Sequence, residues 1–554
     1  MLTSQRKTLL GLSIAGLAIV GVVVWAAYAP VRKSLPQLPN NVAVDLDRTV
    51  NKVNQFFEKD WKGNHLQPAK LADDIQIFRR LSLALHGTVP SLEEIRLFEK
   101  DPRSNRLRHW VAGMLEDNRF LDYFAERLAR NLVGIEDGNL ILFRRDRFTE
   151  WLRTQLKEDR PYNEMVQEMI ASDGLWTGVP QTNFITATIA NDVLDVNKLA
   201  GRSVRAFMGQ RMDCAQCHDH PFVEEWKQKD FEGIAAYYGQ TNYTILGVGD
   251  QPQKKNGKPR EHTVQDFKED ENGTPIEIKR VVKPAVPFHP EWLPSKGNRR
   301  ALLAGWLTHP QNRRFERAIV NRIWGLLFGR PYIDPVDDLP DPPKVDHPDL
   351  LDLLGADFRE HHYSLRRLIY VITASKPFQL QSHHRETSPR QIAELESRWG
   401  VFPLMRLRPE QVIGSMLQTS SIKTIDQNSH LIFRALRLIR ESDFIKDYGD
   451  LGEDELGDRA GTIPQALLRM NGKLPEELLK TGPITASGRI TSLSKDTQQM
   501  VENCFLVCLT RKPTEEEQIH FVTQLQGKTK DQQNQIIEDL FWALYNSPEF
   551  SWNH

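Results

Sequence analysis

Ile77-Phe78-Arg79-Arg80-Leu81-Ser82-Leu83-Ala84-Leu85 sets Ile77, Leu81 and Leu85 on one stripe, the spacing of a helix with a single buried face. Downstream, Thr88-Val89-Pro90 breaks the pattern and Ser91-Leu92-Glu93-Glu94 starts a new helix. Ser91 reads as its N-cap, with Glu94 three residues on completing a capping box. The helical spacing returns in Leu107, Trp110, Val111 and Met114, and again in Phe148, Trp151, Leu152 and Leu156. It predicts helices from Leu71 to about Tyr238. Residues 241–296 differ: they are rich in Gly, Pro, Lys and Asp. Ile276-Glu277-Ile278-Lys279-Arg280-Val281-Val282 alternates as a half-buried strand does, which predicts a β-hairpin or loop insertion. Helical spacing resumes at Arg299 and runs, with loops, to the C-terminus. The expected fold is mainly α: a multi-helical two-domain body with a small β-hairpin/loop insertion.

The chain has 554 residues, enough for several domain-sized units. Its 72 Lys and Arg balance 73 Asp and Glu, which excludes a protein acting through a bulk basic field, so no nucleic-acid partner is expected. Forty per cent hydrophobic residues and 12 Trp supply ample core, and 4 Cys are too few for a disulfide-built scaffold.

Residues 1–33 stand apart. Leu9 to Ala29 carries no charge over a length sufficient to span a bilayer as a helix, with Arg6 and Lys7 before it and Arg32 and Lys33 behind. Ala27-Tyr28-Ala29 resembles a signal-peptidase site, but Pro30 follows where proline blocks cleavage. The reading is an N-terminal transmembrane helix, an uncleaved signal anchor holding the protein to the membrane through residues 9–29. The body would then lie on the periplasmic, extracytoplasmic side. A cleaved signal and a buried soluble helix are the alternatives. Residues 34–70 read as a linker and short helix, 71–240 as a first helical domain, 241–296 as the insertion and 297–554 as a second helical domain.

The chemistry-bearing motif is Cys214-Ala215-Gln216-Cys217-His218, a CxxCH pentapeptide. Residues i, i+3 and i+4 share a helix face, so two thiols can form thioethers to one porphyrin while the adjacent imidazole reaches its iron. Covalent haem c, with His218 as metal ligand, is the leading reading. A CxxC disulfide and a non-haem metal site built from Cys214, Cys217, His218 and His220 are the alternatives. For a sixth iron ligand the sequence offers Met208 and Met212 upstream and His262, His289 and His309 downstream; a five-coordinate site is equally open. Ala200, Val204, Phe207 and Met208 on the preceding helix, with Phe222, Trp226, Phe231 and Tyr238 after the motif, are expected to wall the porphyrin.

Cys504 and Cys508 sit in an apolar helix and read as buried free thiols. The Arg-rich stretch 299–330 precedes an Asp-rich loop at 334–349, and Arg317 or Arg322 is expected to pair with a carboxylate of that loop or of the first domain, or with a haem propionate, with Asp346 as the next N-cap and Pro348 in the first turn. The doublets His361-His362 and His383-His384 read as solvated loop histidines. No P-loop, GxSxG, HExxH or dinucleotide fingerprint occurs.

Taken together, these motifs resemble the tandem-domain proteins of planctomycetes, which join a cytochrome-c-like (PSCyt) domain to a planctomycete-specific (PSD) domain, both of unknown function. The resemblance rests on Phe207–Phe222 around CxxCH with Trp226, Phe231 and Ala235-Ala236-Tyr237-Tyr238. It continues in Arg299–Leu307, Asn321-Arg322-Ile323-Trp324, Phe328-Gly329-Arg330, His347–Leu351 and Trp542–Phe550. Ala84 departs from the pattern, where the family usually carries an aspartate. The resemblance implies an exported, largely helical protein and assigns 71–240 to the first domain and 297–554 to the second. The expected function is haem-based electron transfer or ligand sensing, with a redox or protein partner. From other classes come an interaction scaffold whose CxxC is a structural disulfide, and an accessory enzyme of extracellular polymer breakdown.

Overall fold

The computed structural model describes residues 37, 40–135, 143–190, 193–219, 226–269, 275–384, 388–426, 444–449, 452, 456–457, 461–483 and 485–554. These residues are mainly helical, with four two-stranded antiparallel sheets. The fold class expected from sequence needs one correction. The transmembrane run Leu9–Ala29 lies outside the described residues, and among the described residues no helix is long and apolar enough to cross a membrane. The helix Asn40–Gly63, at 24 residues, is long enough but interleaves Asp45, Asp47, Arg48, Lys52 and Glu58 with its buried Leu46, Val50, Val53 and Phe57. It is amphipathic, built to lie on a core.

Two hydrophobic cores organise the chain. The larger gathers side chains from Leu46 to Phe402, with Leu456 and Leu506 from farther along, so segments before and after the insertion share it. Ile77, Leu81 and Leu85 enter it from the helix Asp74–His86, and Ser91 and Glu94 form the expected capping box of Leu92–Lys100. The smaller core belongs to the C-terminal helices, from Leu407 to Phe550, and takes Leu83 and Val89 from the N-terminal part. Cys504 and Cys508 are free and buried within it. The helix Asp74–His86 thus serves both cores with opposite faces, which the sequence stripe alone did not reveal.

Buried arginines tie these parts together. Arg79 donates to the carbonyls of Cys508 and Phe550, and Arg80 to those of Phe378 (3.0 Å) and His554 (2.8 Å), with its guanidinium 3.8 Å from the Phe402 ring centroid. Burial lowers the pKa of Arg80 to about 9. Farther along, Glu410 accepts from both Arg127 and Arg408, and Arg408 also donates to the Tyr123 hydroxyl. All four side chains are buried, a polar network joining the helix Asn118–Val133 to Pro409–Thr419.

The region 241–282 holds two hairpins, Thr241–Thr244 with Gly247–Asp250 and His262–Glu269 with Pro275–Val282. Arg280 on the second reaches back to Glu232 at 2.7 Å, fastening it to the helix Gln228–Tyr237.

Arg317 grips Asp349 with both terminal nitrogens, at 2.6 and 2.9 Å, and Arg322 pairs with Asp337, as the charge pattern predicts. The N-cap of the following helix is corrected. It is Asp349, not Asp346: the Asp349 carboxylate accepts from Asp352 N–H at 3.0 Å while Asp352 answers to Asp349 N–H. The helix therefore starts after Pro348, at Leu350.

Candidate functional site

The helix Val196–Met208 carries the chain to the CxxCH segment. Asp195 caps it by accepting from Asn197 and Lys198 N–H, and its apolar residues at 200, 204, 207 and 208 fall on one face. The helix packs against the helices Arg313–Phe328 and Gln228–Tyr237, and Phe207 on that face meets the Phe184 ring. Gly209 ends the helix in the left-handed region, at φ 62° and ψ 35°. A Cβ there would lie 2.8 Å from Leu339 Cδ1, so a side chain is excluded by space as well as by conformation. Leu339 N–H donates to Gly209 O at 2.8 Å, and Gln210 donates its side-chain amide to Asp338. The acidic loop thereby clamps the chain just before the motif.

Met212 and Ala215 are wholly buried and pin the next turn. Asp213 folds over Gly201, where a Cβ would meet its carboxylate at 2.9 Å. Between these anchors Asp213–Gln216 forms one 3₁₀ turn that leaves Cys214, Cys217 and His218 exposed. Both thiols are free and unbonded to each other. Cys217 N–H and His218 N–H both turn back on Cys214 O, at 3.3 and 3.4 Å, which groups the three residues on one tight turn. His218 Nδ1 lies 2.6 Å from Asp219 O; with Nδ1 as the donor, Nε2 keeps its lone pair. The Asp219 carboxylate accepts from Gln228 N–H at 2.9 Å, fastening the far side of the motif to the next helix.

The donors fit a covalently attached haem: two accessible thiols and an imidazole with one nitrogen engaged. The expected walls do not. Ala200, Val204, Phe207, Met208, Trp226, Phe231 and Tyr238 are at most 2 % exposed, consumed by packing within the protein, and Phe222 lies outside the described residues. The apolar face before the motif is the inner face of a core helix; periodicity identifies a buried face but not what buries it. A porphyrin held by Cys214 and Cys217 would lie on the surface of this turn, not inside the helix layer.

The proposed sixth ligands are dispersed. Met208 and Met212 are core side chains; His262 is buried, with its pKa lowered by that burial; His289 pairs with Glu291 at 2.7 Å; and His309 stacks on Trp292. Among the described residues no group of three His, Cys, Asp or Glu side chains is arranged to hold a metal ion. His220, the fourth member of the zinc alternative, lies outside them. Sequence reasoning missed the clamp by Asp338 and Leu339 and the Gly201–Asp213 contact. A glycine directly after the helix, at 209, was the one signal that could have marked the first.

Residues 52–243 match the family model PSCyt2, described as a protein of unknown function (DUF1549), and residues 299–432 match PSD1, likewise of unknown function (DUF1553). No curated protein and no solved structure matches the chain.

Proposed function

Since the chain belongs to the tandem family in which a PSCyt2 domain precedes a PSD1 domain, we propose that it is an extracytoplasmic c-type haem protein, with Cys214 and Cys217 as the attachment thiols and His218 as the proximal ligand. One observation carries the proposal. The motif is presented on a turn anchored by Met212 and Ala215, with both thiols accessible and His218 Nδ1 beside a carbonyl. Haem bound there would supply a one-electron couple at its iron. The residues of this chain do the rest. Thiol exposure allows two thioethers to form without unfolding the core, and a Nδ1–H bond to Asp219 O orients the imidazole and raises its basicity at Nε2. Because the surrounding apolar residues face inward, the cofactor edge would be open to solvent, which suits electron exchange with a partner better than enclosure of a ligand. Attachment of this kind takes place outside the bacterial cytoplasm, and that places the body there in this reading.

The test is the absorption spectrum of the chain exported into a periplasm equipped for haem attachment. A Soret band that survives denaturation and acidified-solvent extraction is expected, and is lost in Cys214→Ala/Cys217→Ala. A colourless product, with the two cysteines joined as a disulfide, would support the scaffold reading instead.

A further inference from the structure

The strand Pro275–Val282 stands at an open sheet edge. It pairs with His262–Glu269, in register from His262 opposite Val282 to Glu269 opposite Pro275, and no further strand joins the two among the described residues. Every side chain from Ile276 to Val281 is exposed, Ile276 by 50 %, Ile278 by 39 % and Val281 by 55 %. A two-stranded hairpin is marginal in water by itself, and a long edge carrying apolar side chains is a template for another strand. Two devices that commonly blunt such an edge are missing. The register runs without a bulge, and proline stands only at the first position, 275.

The edge is held firmly from below. Arg280 donates to both carboxylate oxygens of Glu232, at 2.7 and 2.8 Å, and to Asp266 at 2.8 Å. Glu232 is buried on the helix Gln228–Tyr237, so this contact roots the hairpin in the helical body. His262 and Val282 are buried at its base, and Gln265 donates across the pair to Glu277 at 2.6 Å. The edge is therefore formed before any partner arrives, which removes most of the ordering cost of binding.

We propose that this edge pairs with the same edge of a second copy of the chain, giving a four-stranded antiparallel sheet about a two-fold axis beside Ile278. The strand is its own complement in charge. In an antiparallel pair centred on Ile278, Ile278 meets Ile278, and Glu277 of each copy stands opposite Lys279 of the other. The neighbouring registers that keep the same faces aligned are centred on Glu277 or on Lys279. Each sets like charges directly opposite one another, which is destabilising. One charge pattern thus selects the partner and fixes the register. The exposed stretch Ile276–Val281 is short, so the interface is small and the dimer reversible. The edge shares no residue with Cys214, Cys217 or His218, and the inference is independent of the haem.

The experiment is sedimentation velocity of the full chain in a mild detergent, from about 5 to about 200 µM. The unaltered chain is expected to pass from monomer towards dimer across that range. Lys279→Glu and Glu277→Lys each place like charges opposite one another on both sides of the axis, and each is expected to weaken dimerisation about tenfold. Mixed in equal amounts, the two variants regain opposite charges across the axis, and the mixture is expected to dimerise as the unaltered chain does. That recovery also shows that both variants are folded. Hydrogen exchange on the unaltered chain needs no variant: the amides of residues 276–281 are expected to slow as concentration rises, and those of the hairpin at 241–250 are not. A chain monomeric throughout, its edge left for a strand of another protein, would overturn the proposal. So would a dimer that both charge reversals leave intact, a mixture no tighter than its components, or exchange at 276–281 that does not respond to concentration.

Discussion

Replacing Gly209 by alanine tests how the site is held to the body. The new Cβ meets Leu339 Cδ1 at 2.8 Å, Leu339 Cγ at 3.1 Å and Ala318 Cβ at 3.3 Å, all on buried side chains. Two costs arise. A left-handed conformation costs an L-residue about 1–2 kcal/mol, and overpacking a dense core costs about 1–3 kcal/mol. Gly209→Ala is therefore expected to destabilise the protein by about 2–5 kcal/mol. The two costs separate in a double-mutant cycle with Leu339→Ala, which alone loses about 2–5 kcal/mol by leaving a cavity. In the double variant the added methyl enters that cavity, so the steric part disappears and the conformational part stays. The two changes should fall short of additivity by about 1–3 kcal/mol, read from urea midpoints with unchanged slopes. Strict additivity would mean that Leu339 does not pack on Gly209, and the clamp before the CxxCH turn would have to be abandoned.

Two further outcomes follow from buried charge. Glu410→Gln leaves Arg127 and Arg408, both at most 3 % exposed, without their carboxylate, and a loss of about 3–5 kcal/mol is expected in denaturant unfolding; a loss near zero would show that water reaches the network. His86 is fully buried, and burial, reinforced by the nearby Arg119 charge, lowers its pKa to about 4. Between about pH 6.5 and 4 the unfolded chain binds a proton that the folded chain refuses, so stability falls as pH falls, by up to about 3 kcal/mol. His86→Gln should remove that part of the slope. Glu316, whose carboxyl is raised by burial to about 7, acts in the opposite sense over much of the same range. The readout is thus the difference between variant and parent across pH, and parallel curves would contradict the assignment.

Much of the helical body was legible in short-range pattern. The stripe 77, 81, 85 and the Ser91–Glu94 capping box are written within a few residues of each other, and their physics is equally local. The alternation of 276–282 gave the strand for the same reason. What escaped was whatever depends on a distant partner. Nothing near Arg79 and Arg80 announces that their acceptors lie at Cys508, Phe550 and His554, and nothing near Leu83 says that it leaves the larger core for the smaller. Asp346 and Asp349 are chemically alike as caps, and the choice fell to the one that Arg317 grips. At the candidate site, the CxxCH spacing suggests one helix face shared by positions 214, 217 and 218, whereas the chain forms a single 3₁₀ turn there with all three side chains exposed. The apolar residues around it were visible too, but their inward direction was not, because Met208 or Trp226 looks the same in sequence whether it faces a cofactor or a neighbouring helix.

The central claim is that Cys214 and Cys217 carry haem, and the intact mass of the denatured, exported chain tests it most directly. The account predicts a mass raised by one haem, with the adduct mapping to the peptide that contains Cys214 and Cys217 and absent from the double alanine variant. A chain at its unmodified mass, or lighter by the two hydrogens of a disulfide on that same peptide, would contradict it.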